Sequence, residues 1–307
     1  MSSSLTITVP ASTANLGPGF DSIGLALSKY LKIQASRGDH WHFEHLSPEL
    51  KELPNDESHF VCQMAQKTAA IFKAPLPPLT IKMQSDIPLA RGLGSSAAAV
   101  AAGIELANQF CGLSLSTEEK MQIGTRIEGH PDNIGASIYG GLVIGVYDGE
   151  KTKSVHISSL DVDIVALIPS YELKTEEARK VLPNVLERKK AVQASALSNV
   201  FLAALLTGDY ELAGNVMEKD LFHEPYRIHL IDCFEEMRKC ARNNGAFGTV
   251  ISGAGPAVLS FAEKGKGEKL AQSLQARFWD CEIELLSVDQ NGIQVSESSF
   301  HSDRLSS

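Results

Sequence analysis

Paired cysteines are missing from this chain. Its five cysteines, Cys62, Cys111, Cys233, Cys240 and Cys281, are scattered, and no CxxC pair occurs. That excludes a zinc ribbon or a thioredoxin-like redox site. Basic runs are missing too. Lys+Arg total 28 against 37 Asp+Glu, a formal net charge of −9. Such a chain lacks the electrostatic footprint of a nucleic-acid binder and is not drawn to anionic membranes. The most apolar long stretch, 97–107, is too short and too rich in Ala and Gly to span a bilayer. Residues 1–4 (MSSS) show no basic stretch leading into an apolar region. These absences lead to the expectation of a soluble, cytoplasmic protein with reduced thiols.

What is present is an ordinary globular composition, 43% hydrophobic and 21% charged. At 307 residues the chain suggests about two domains. Alternation and β-branched content predict strands over 5–9, 30–35 and 79–85, with 23–27 leading into the second. Apolar periodicity predicts helices over 56–72, 97–110 and 117–129, the last opened by a Ser116/Glu119 capping box. A strand over 140–147 follows, then a polar stretch, 148–154, that reads as a loop and domain boundary. Beyond it the pattern predicts strands at 164–168, 246–251, 257–261 and 282–288. Helices are predicted at 175–182, 191–206, 210–219, 226–243 and 268–278. Strands interleaved with helices in this way suggest an α+β chain whose second half is a split βαβ sandwich. The divisions expected are 1–155, 156–296 and a Ser-rich disordered tail over 297–307.

One segment carries the strongest chemical signal: Pro88, Leu89, Ala90, Arg91, Gly92, Leu93, Gly94, Ser95, Ser96, Ala97 and Ala98. Glycines at 92 and 94 permit positive φ and bare amides. The helix behind them aims free N–H groups and the positive end of its dipole at the loop. Such a loop suits a phosphate. Ser95 and Ser96 could cap the helix, donate to a phosphate or ligate Mg2+. A plain Ser-capped helix with Gly in its entry turn fits the same residues. The usual P-loop, GxxxxGK[ST], is absent, as are HRD and DFG.

The PxxxGLGSSAA pattern resembles the nucleotide loop of the GHMP kinases. The earlier segment 11–21 (ASTANLGPGFD) resembles the first motif of the homoserine kinase branch. Ser252-Gly253-Ala254-Gly255-Pro256 resembles the family's C-terminal motif. The motifs stand in family order, and the resemblance spans about 5–294. It implies a two-domain α+β fold. The N-terminal part would be a ribosomal-protein-S5-domain-2-like domain and the C-terminal part a ferredoxin-like split βαβ sandwich.

The resemblance implies transfer of the γ-phosphoryl group of ATP to the hydroxyl of L-homoserine, with Mg2+. Glu128 and Ser96 would be the metal ligands. Asp21 would take the substrate ammonium, and Arg179 and Arg227 its carboxylate, matching the planar fork of arginine. Asn15, His130, Asn133, Thr175, Gly253 and Gly255 occupy family substrate positions. Glu128, Asn133 and Arg179 are the catalytic candidates. A base is less defined: one count places it at Asn133, another at Asp132, and the first is favoured, so the hydroxyl proton would pass directly to the phosphoryl group. The family Asn that contacts adenine is missing around 58–60. A homodimer is a further implication. Two other readings remain: a GHMP kinase acting on mevalonate or shikimate, and a catalytically silent ligand-binding regulator. The cluster His40, His42 and His45 alternates with Trp41 and Phe43 like a strand face and does not read as a metal site.

Overall fold

A computed structural model of the chain describes residues 4–298. Two sheets organise it. The first holds β1 (Ser4–Asn15), β2 (Gly19–Arg37), β3 (His42–His45), β4 (Leu79–Ser85), β5 (Leu142–Tyr147), β6 (Thr152–Ile157) and β11 (Gln294–Ser298). Its main path runs β11-β1-β2-β4-β3. The long β2 serves two neighbours: residues 31–37 pair with β4 and residues 23–25 with β5. The second sheet holds β7 (Val162–Pro169), β8 (Gly248–Ile251), β9 (Val258–Glu263) and β10 (Cys281–Leu286), in the order β10-β7-β9-β8 and antiparallel throughout. Numbered within this half, the order is 4-1-3-2, the split βαβ arrangement that the interleaved pattern predicts.

Helices cover these sheets. α1 (Phe60–Ile71), α2 (Ser95–Cys111), α3 (Thr117–Glu128) and α4 (Asp132–Tyr139) accompany the first. The alanines of α2 bury without bulk: Ala97, Ala98, Ala101 and Ala102 all lie in the main core. In α3 both capping-box bonds form, Glu119 N–H to the Ser116 hydroxyl and Ser116 N–H to the Glu119 carboxylate. The second half carries α5 (Thr175–Lys180), α6 (Arg188–Thr207), α7 (Tyr210–Met217), α8 (Glu224–Arg227), α9 (Phe234–Asn243) and α10 (Gly267–Arg277). In β4, Leu79, Ile81 and Met83 are buried while the residues between them face out, as their alternation requires.

Several sequence expectations need correction. The Gly/Pro/Asn-rich segment 12–21 has the composition of a loop, yet it is mostly strand: Ser12–Asn15 closes β1, β2 opens at Gly19, and only Leu16, Gly17 and Pro18 turn. Small residues let this hairpin bury deep, which its Gly/Pro/Asn content disguises. Of the polar stretch 148–154, residues 148–151 turn the β5–β6 hairpin and 152–154 open β6, so the first sheet continues to Ile157, past the expected boundary at 155. The helix expected over 226–243 breaks: Ile231 is extended and Cys233 has φ 57, so α8 and α9 are separate. Residues 297 and 298, expected in a disordered tail, pair with β1 through β11. The rest of that tail, 299–307, lies outside the described residues.

The histidine cluster is structural. His42 and His45 flank Phe43 in β3, and the Phe43 ring stacks on His59 at 4.0 Å. His59 caps α1, its Nδ1 accepting from the Val61 N–H at 3.1 Å. Burial, with the neighbouring His45 adding repulsion, pulls the His59 pKa down to about 4. The unfolded chain therefore binds this proton below about pH 6.5 while the folded chain refuses it until about pH 4. The sign follows: stability falls on acidification through that window, by about 1.4 kcal/mol per pH unit for one histidine. His59→Asn keeps a capping acceptor and cannot titrate. It is expected to flatten the pH dependence of the urea-unfolding free energy between pH 6.5 and 4 by about that slope. An unchanged slope would exclude His59 as the source.

Candidate active site

The sequence motifs meet at the junction of the two sheets. The Ser252 hydroxyl donates to the Gly92 carbonyl at 2.7 Å and lies 2.9 Å from the Thr13 hydroxyl. Gly253 N–H reaches the Ala14 carbonyl, Ser12 N–H the Leu93 carbonyl, and Ala257 N–H the Arg91 carbonyl. Hairpin β1–β2, the Gly-rich loop before α2 and the SGAGP turn are thus one hydrogen-bonded knot. Its glycines are required. A Cβ on Gly92 would lie 2.2 Å from the Ser252 carbonyl oxygen, at φ 78. One on Gly94 would lie 2.1 Å from the Ser12 hydroxyl, at φ 73. Gly92→Ala is expected to cost about 2–4 kcal/mol, through strained backbone and a displaced knot. A melting temperature within a degree of the parent would refute this.

A cavity of about 380 Å3 opens against the knot. Asn15, Asp21, Glu128, His130, Asn133, Thr175, Arg179, Arg227 and Gly253 line it, as do Gly92, Gly94, Ser95, Ser96 and Ala97. Elements from both halves of the chain therefore converge on one space. Gly255, expected there, does not line it; its Cα faces Ile231 and Ile251.

At one end, α2 begins at Ser95 after Gly94 in the left-handed conformation, and no side chain caps it. The sequence allowed Ser95 or Ser96 as a cap, but the glycine takes that place and neither hydroxyl is spent on capping. Ser96 Oγ donates to Glu128 Oε1 at 2.9 Å, across from the end of α3. Burial raises the Glu128 pKa, opposed by the Ser96 hydrogen bond and His130. A hydroxyl and a carboxylate are hard oxygen donors, and the half-buried carboxylate favours a cation beside it. The pair fits Mg2+.

At the other end sits a charged set. Arg179 from α5 grips Asp21 with two bonds, Nη2–Oδ1 at 2.7 Å and Nη1–Oδ2 at 3.1 Å. The Asp21 hydrogen bond is the main cause holding the Arg179 pKa above its usual value. Arg227 is buried, and desolvation, with repulsion from Arg179, lowers its pKa to about 10. Its Nε donates to the Ala178 carbonyl and its Nη1 to the Gly253 carbonyl, each at 3.0 Å. Both guanidiniums lie over the Phe20 ring, Arg179 at 5.7 Å and Arg227 at 5.5 Å. Asn15 works on the loop itself: its Oδ1 accepts from Asp21 N–H at 3.1 Å and its Nδ2 donates to the Gly253 carbonyl at 3.0 Å.

Between these ends lies the start of α4. Asp132 Oδ1 accepts from Asn133 N–H at 2.6 Å and contacts His130 Nδ1 at 2.7 Å. Burial pulls the His130 pKa down, but the Asp132 hydrogen bond and charge, with Asp21 beyond, outweigh it and leave the pKa raised. Asn133 Oδ1 accepts from the Ser12 hydroxyl at 3.0 Å.

A second, mostly apolar cavity of about 420 Å3 adjoins the first. Leu31, Leu53, His59, Phe60, Met83 and Ile87 line it, and Ser95 and Ser96 line both. Of the Gly-rich segment, Leu89 and Ala98 face this space. Pro88, Arg91 and Leu93 face neither cavity. Leu93 is core, and Arg91 spends its guanidinium on the Pro169, Ser170 and Leu89 carbonyls, locking the loop to the second sheet. Phe20 and the apolar cavity were not assigned roles from sequence, and Asp132 entered only as the less favoured count for a base. Phe20 lies inside a recognised motif, whereas the apolar cavity draws on residues from 31 to 99 and has no local signature.

The chain matches the family model for the GHMP kinases N-terminal domain over residues 59–141 and that for the GHMP kinases C-terminal domain over 201–280. It belongs to the GHMP kinases. Within them its kin are homoserine kinases. It is 50% identical to "Homoserine kinase" of Bacillus licheniformis, covering 96% of this chain and 97% of that one. It is 49% identical to "Homoserine kinase" of Staphylococcus saprophyticus, covering 95% and 97%. A solved structure of a homoserine kinase assignment from Listeria monocytogenes superposes with a TM-score of 0.84 at 42% identity, over 96% of this chain and all of that one.

Proposed function

We propose that the chain transfers the γ-phosphoryl group of ATP to the side-chain hydroxyl of L-homoserine, giving O-phospho-L-homoserine. The observation that carries this reading is one cavity with a hydroxyl–carboxylate pair, Ser96 and Glu128, at one end and the Asp21–Arg179 pair with Arg227 at the other. An amino acid with a terminal hydroxyl matches that polarity. Its ammonium would replace Arg179 on Asp21 and its carboxylate would replace Asp21 on Arg179, so neither charge is left alone. The adenine would occupy the apolar cavity. The triphosphate would then cross Ser95 and Ser96, which border both spaces.

In this mechanism the free amides at the start of α2 and the Ser95 hydroxyl cradle the phosphates. Ser96 and Glu128 would hold Mg2+, which neutralises charge on the phosphoryl oxygens. Phe20 stiffens both arginines, and Asn15 keeps the Asp21 loop closed. Asn133 accepts from Ser12 and is not placed as a base. The substrate hydroxyl passes its proton to the phosphoryl group, with positioning and electrostatics supplying the acceleration. We place the reaction in the cytoplasm, where the chain's unpaired thiols suit a reducing milieu.

The test is ADP release from Mg2+-ATP with L-homoserine, mevalonate, shikimate and galactose in parallel. Turnover with homoserine alone is the expected result. Turnover with another alcohol would overturn the substrate, and silence with all four would favour a ligand-binding regulator.

A further inference from the structure

Arg227 commits most of its guanidinium to the protein. A guanidinium carries five N–H groups, one on Nε and two on each Nη. Nε donates to the Ala178 carbonyl and one Nη1 N–H to the Gly253 carbonyl, each at 3.0 Å. The second Nη1 N–H faces His223 Nδ1, 3.3 Å away. Among the described residues nothing takes the two N–H groups of Nη2. Arg227 is buried yet lines the site cavity, so Nη2 is the edge it keeps for a ligand.

His223 stands directly before α8 and is fully buried. Its two ring nitrogens meet opposite partners. Nε2 lies 3.1 Å from the Gly17 carbonyl, which can only accept. Nδ1 faces Arg227, which can only donate. The neutral ring with its proton on Nε2 satisfies both, and no other form does. Asp220 Oδ2 is further from Nε2, at 3.6 Å, and already accepts from the His223 and Glu224 N–H groups. Burial pulls the His223 pKa down to about 4; Asp220, the Gly17 carbonyl and Asp21 oppose this, and the Arg227 charge adds to it. The ring is also held from the side. Phe20 stacks on it at 5.4 Å, and the same Phe20 ring lies under both arginines. Without the Nδ1 acceptor, one Nη1 N–H would be buried and unpaired, and the guanidinium would shift to satisfy it.

We propose that His223 is a positioning residue for recognition of the substrate carboxylate: its Nδ1 sets the roll of the Arg227 guanidinium, so that Nη2 alone faces the substrate. This rests on the homoserine reading above and divides the work of its two arginines. Arg179 offers a two-pronged fork, since Nη1 and Nη2 both reach Asp21. Arg227 offers one fixed nitrogen, and a residue outside the cavity lining fixes it.

Two near-isosteric variants separate positioning from packing. Asparagine can place its amide oxygen where Nδ1 stands, keeping the acceptor for Arg227 but losing the bond to Gly17. Glutamine can place its amide nitrogen where Nε2 stands, keeping the Gly17 bond but offering Arg227 no acceptor. Each variant loses one buried hydrogen bond, so their melting temperatures should fall by similar amounts. The homoserine KM should part them. His223→Gln is expected to raise it about 10-fold, the scale of one hydrogen bond to a charged group, and His223→Asn less than about threefold. The ATP KM and kcat should move less than about twofold in both. Equal homoserine KM values in the two variants, or values that track the melting temperature, would overturn the proposal. A crystal structure of the parent with bound homoserine tests it without any substitution. The carboxylate is expected on Arg227 Nη2 with the Nη1–His223 contact kept. A carboxylate on Nη1, or a His223 ring turned away from Arg227, would overturn it. A parent that neither binds nor phosphorylates homoserine overturns the functional reading and this inference with it. Homoserine turnover with two indistinguishable variants overturns this inference alone.

Discussion

Glu128→Gln is expected to lower kcat by about 1,000-fold, roughly 4 kcal/mol, while homoserine affinity changes by less than about threefold. The argument is geometric. Glu128 stands 2.9 Å from the Ser96 hydroxyl, at the cavity end where α2 presents its free amides. Glutamine has the same shape and still accepts from Ser96, so the local fold survives. What it loses is the negative charge, without which the divalent cation has no anionic protein ligand at this end. The charged homoserine pocket lies at the opposite end and stays intact. Steady-state kinetics of the variant, with calorimetric titration of homoserine, separates the two effects. A kcat near the parent value would remove Glu128 from the metal site. A matching loss of homoserine affinity would show that the two ends are not independent.

The ease of reading this site from sequence varied with how local its signals are. The Gly-rich loop declares itself because positive φ demands glycine, and Gly92 and Gly94 do take it. The Ser116 capping box is equally local and forms as read. Asn15 shows the limit. Its family position suggested substrate contact, and it does line the cavity, but its amide also ties Asp21 N–H to the Gly253 carbonyl. Arg91 likewise sits in the phosphate loop but anchors it to residues 169 and 170. Such bonds run between residues far apart in sequence, and no pattern of spacing encodes them. The same holds for β11, whose Ser-rich composition resembles a tail until β1 offers it an edge. α4 was hidden for another reason: its start, Asp132 after Pro131, lies within a motif read for chemistry, and Gly140 ends it after only 8 residues. The break between α8 and α9 depends on Cys233 adopting φ 57, which its side chain does not announce.

The two arginines are expected to part company under mutation, although the family resemblance assigns both to the substrate carboxylate. Arg179→Leu should raise the homoserine KM on the order of 100-fold and leave the ATP KM nearly unchanged. It removes a half-exposed group whose protein partner is the substrate-site residue Asp21. Stability should fall little, because that ion pair is in contact with solvent. Arg227→Leu should instead cost about 2–4 kcal/mol of stability, since it takes the guanidinium donor from the buried Ala178 carbonyl and leaves the Gly253 carbonyl with Asn15 alone. Any rise in KM there would be mixed with damage to the SGAGP turn. Thermal melts beside kinetics distinguish the cases. 3-Aminopropan-1-ol, which is homoserine without its carboxylate, closes the argument. It should be a very poor substrate for the parent, because binding it would take Arg179 from Asp21 and give the guanidinium nothing in return. With Arg179→Leu that penalty should shrink, bringing homoserine and the analogue closer in kcat/KM. Equal discrimination by parent and variant would show that the carboxylate is read elsewhere, leaving the Arg179–Asp21 pair as a structural latch between α5 and the β1–β2 hairpin.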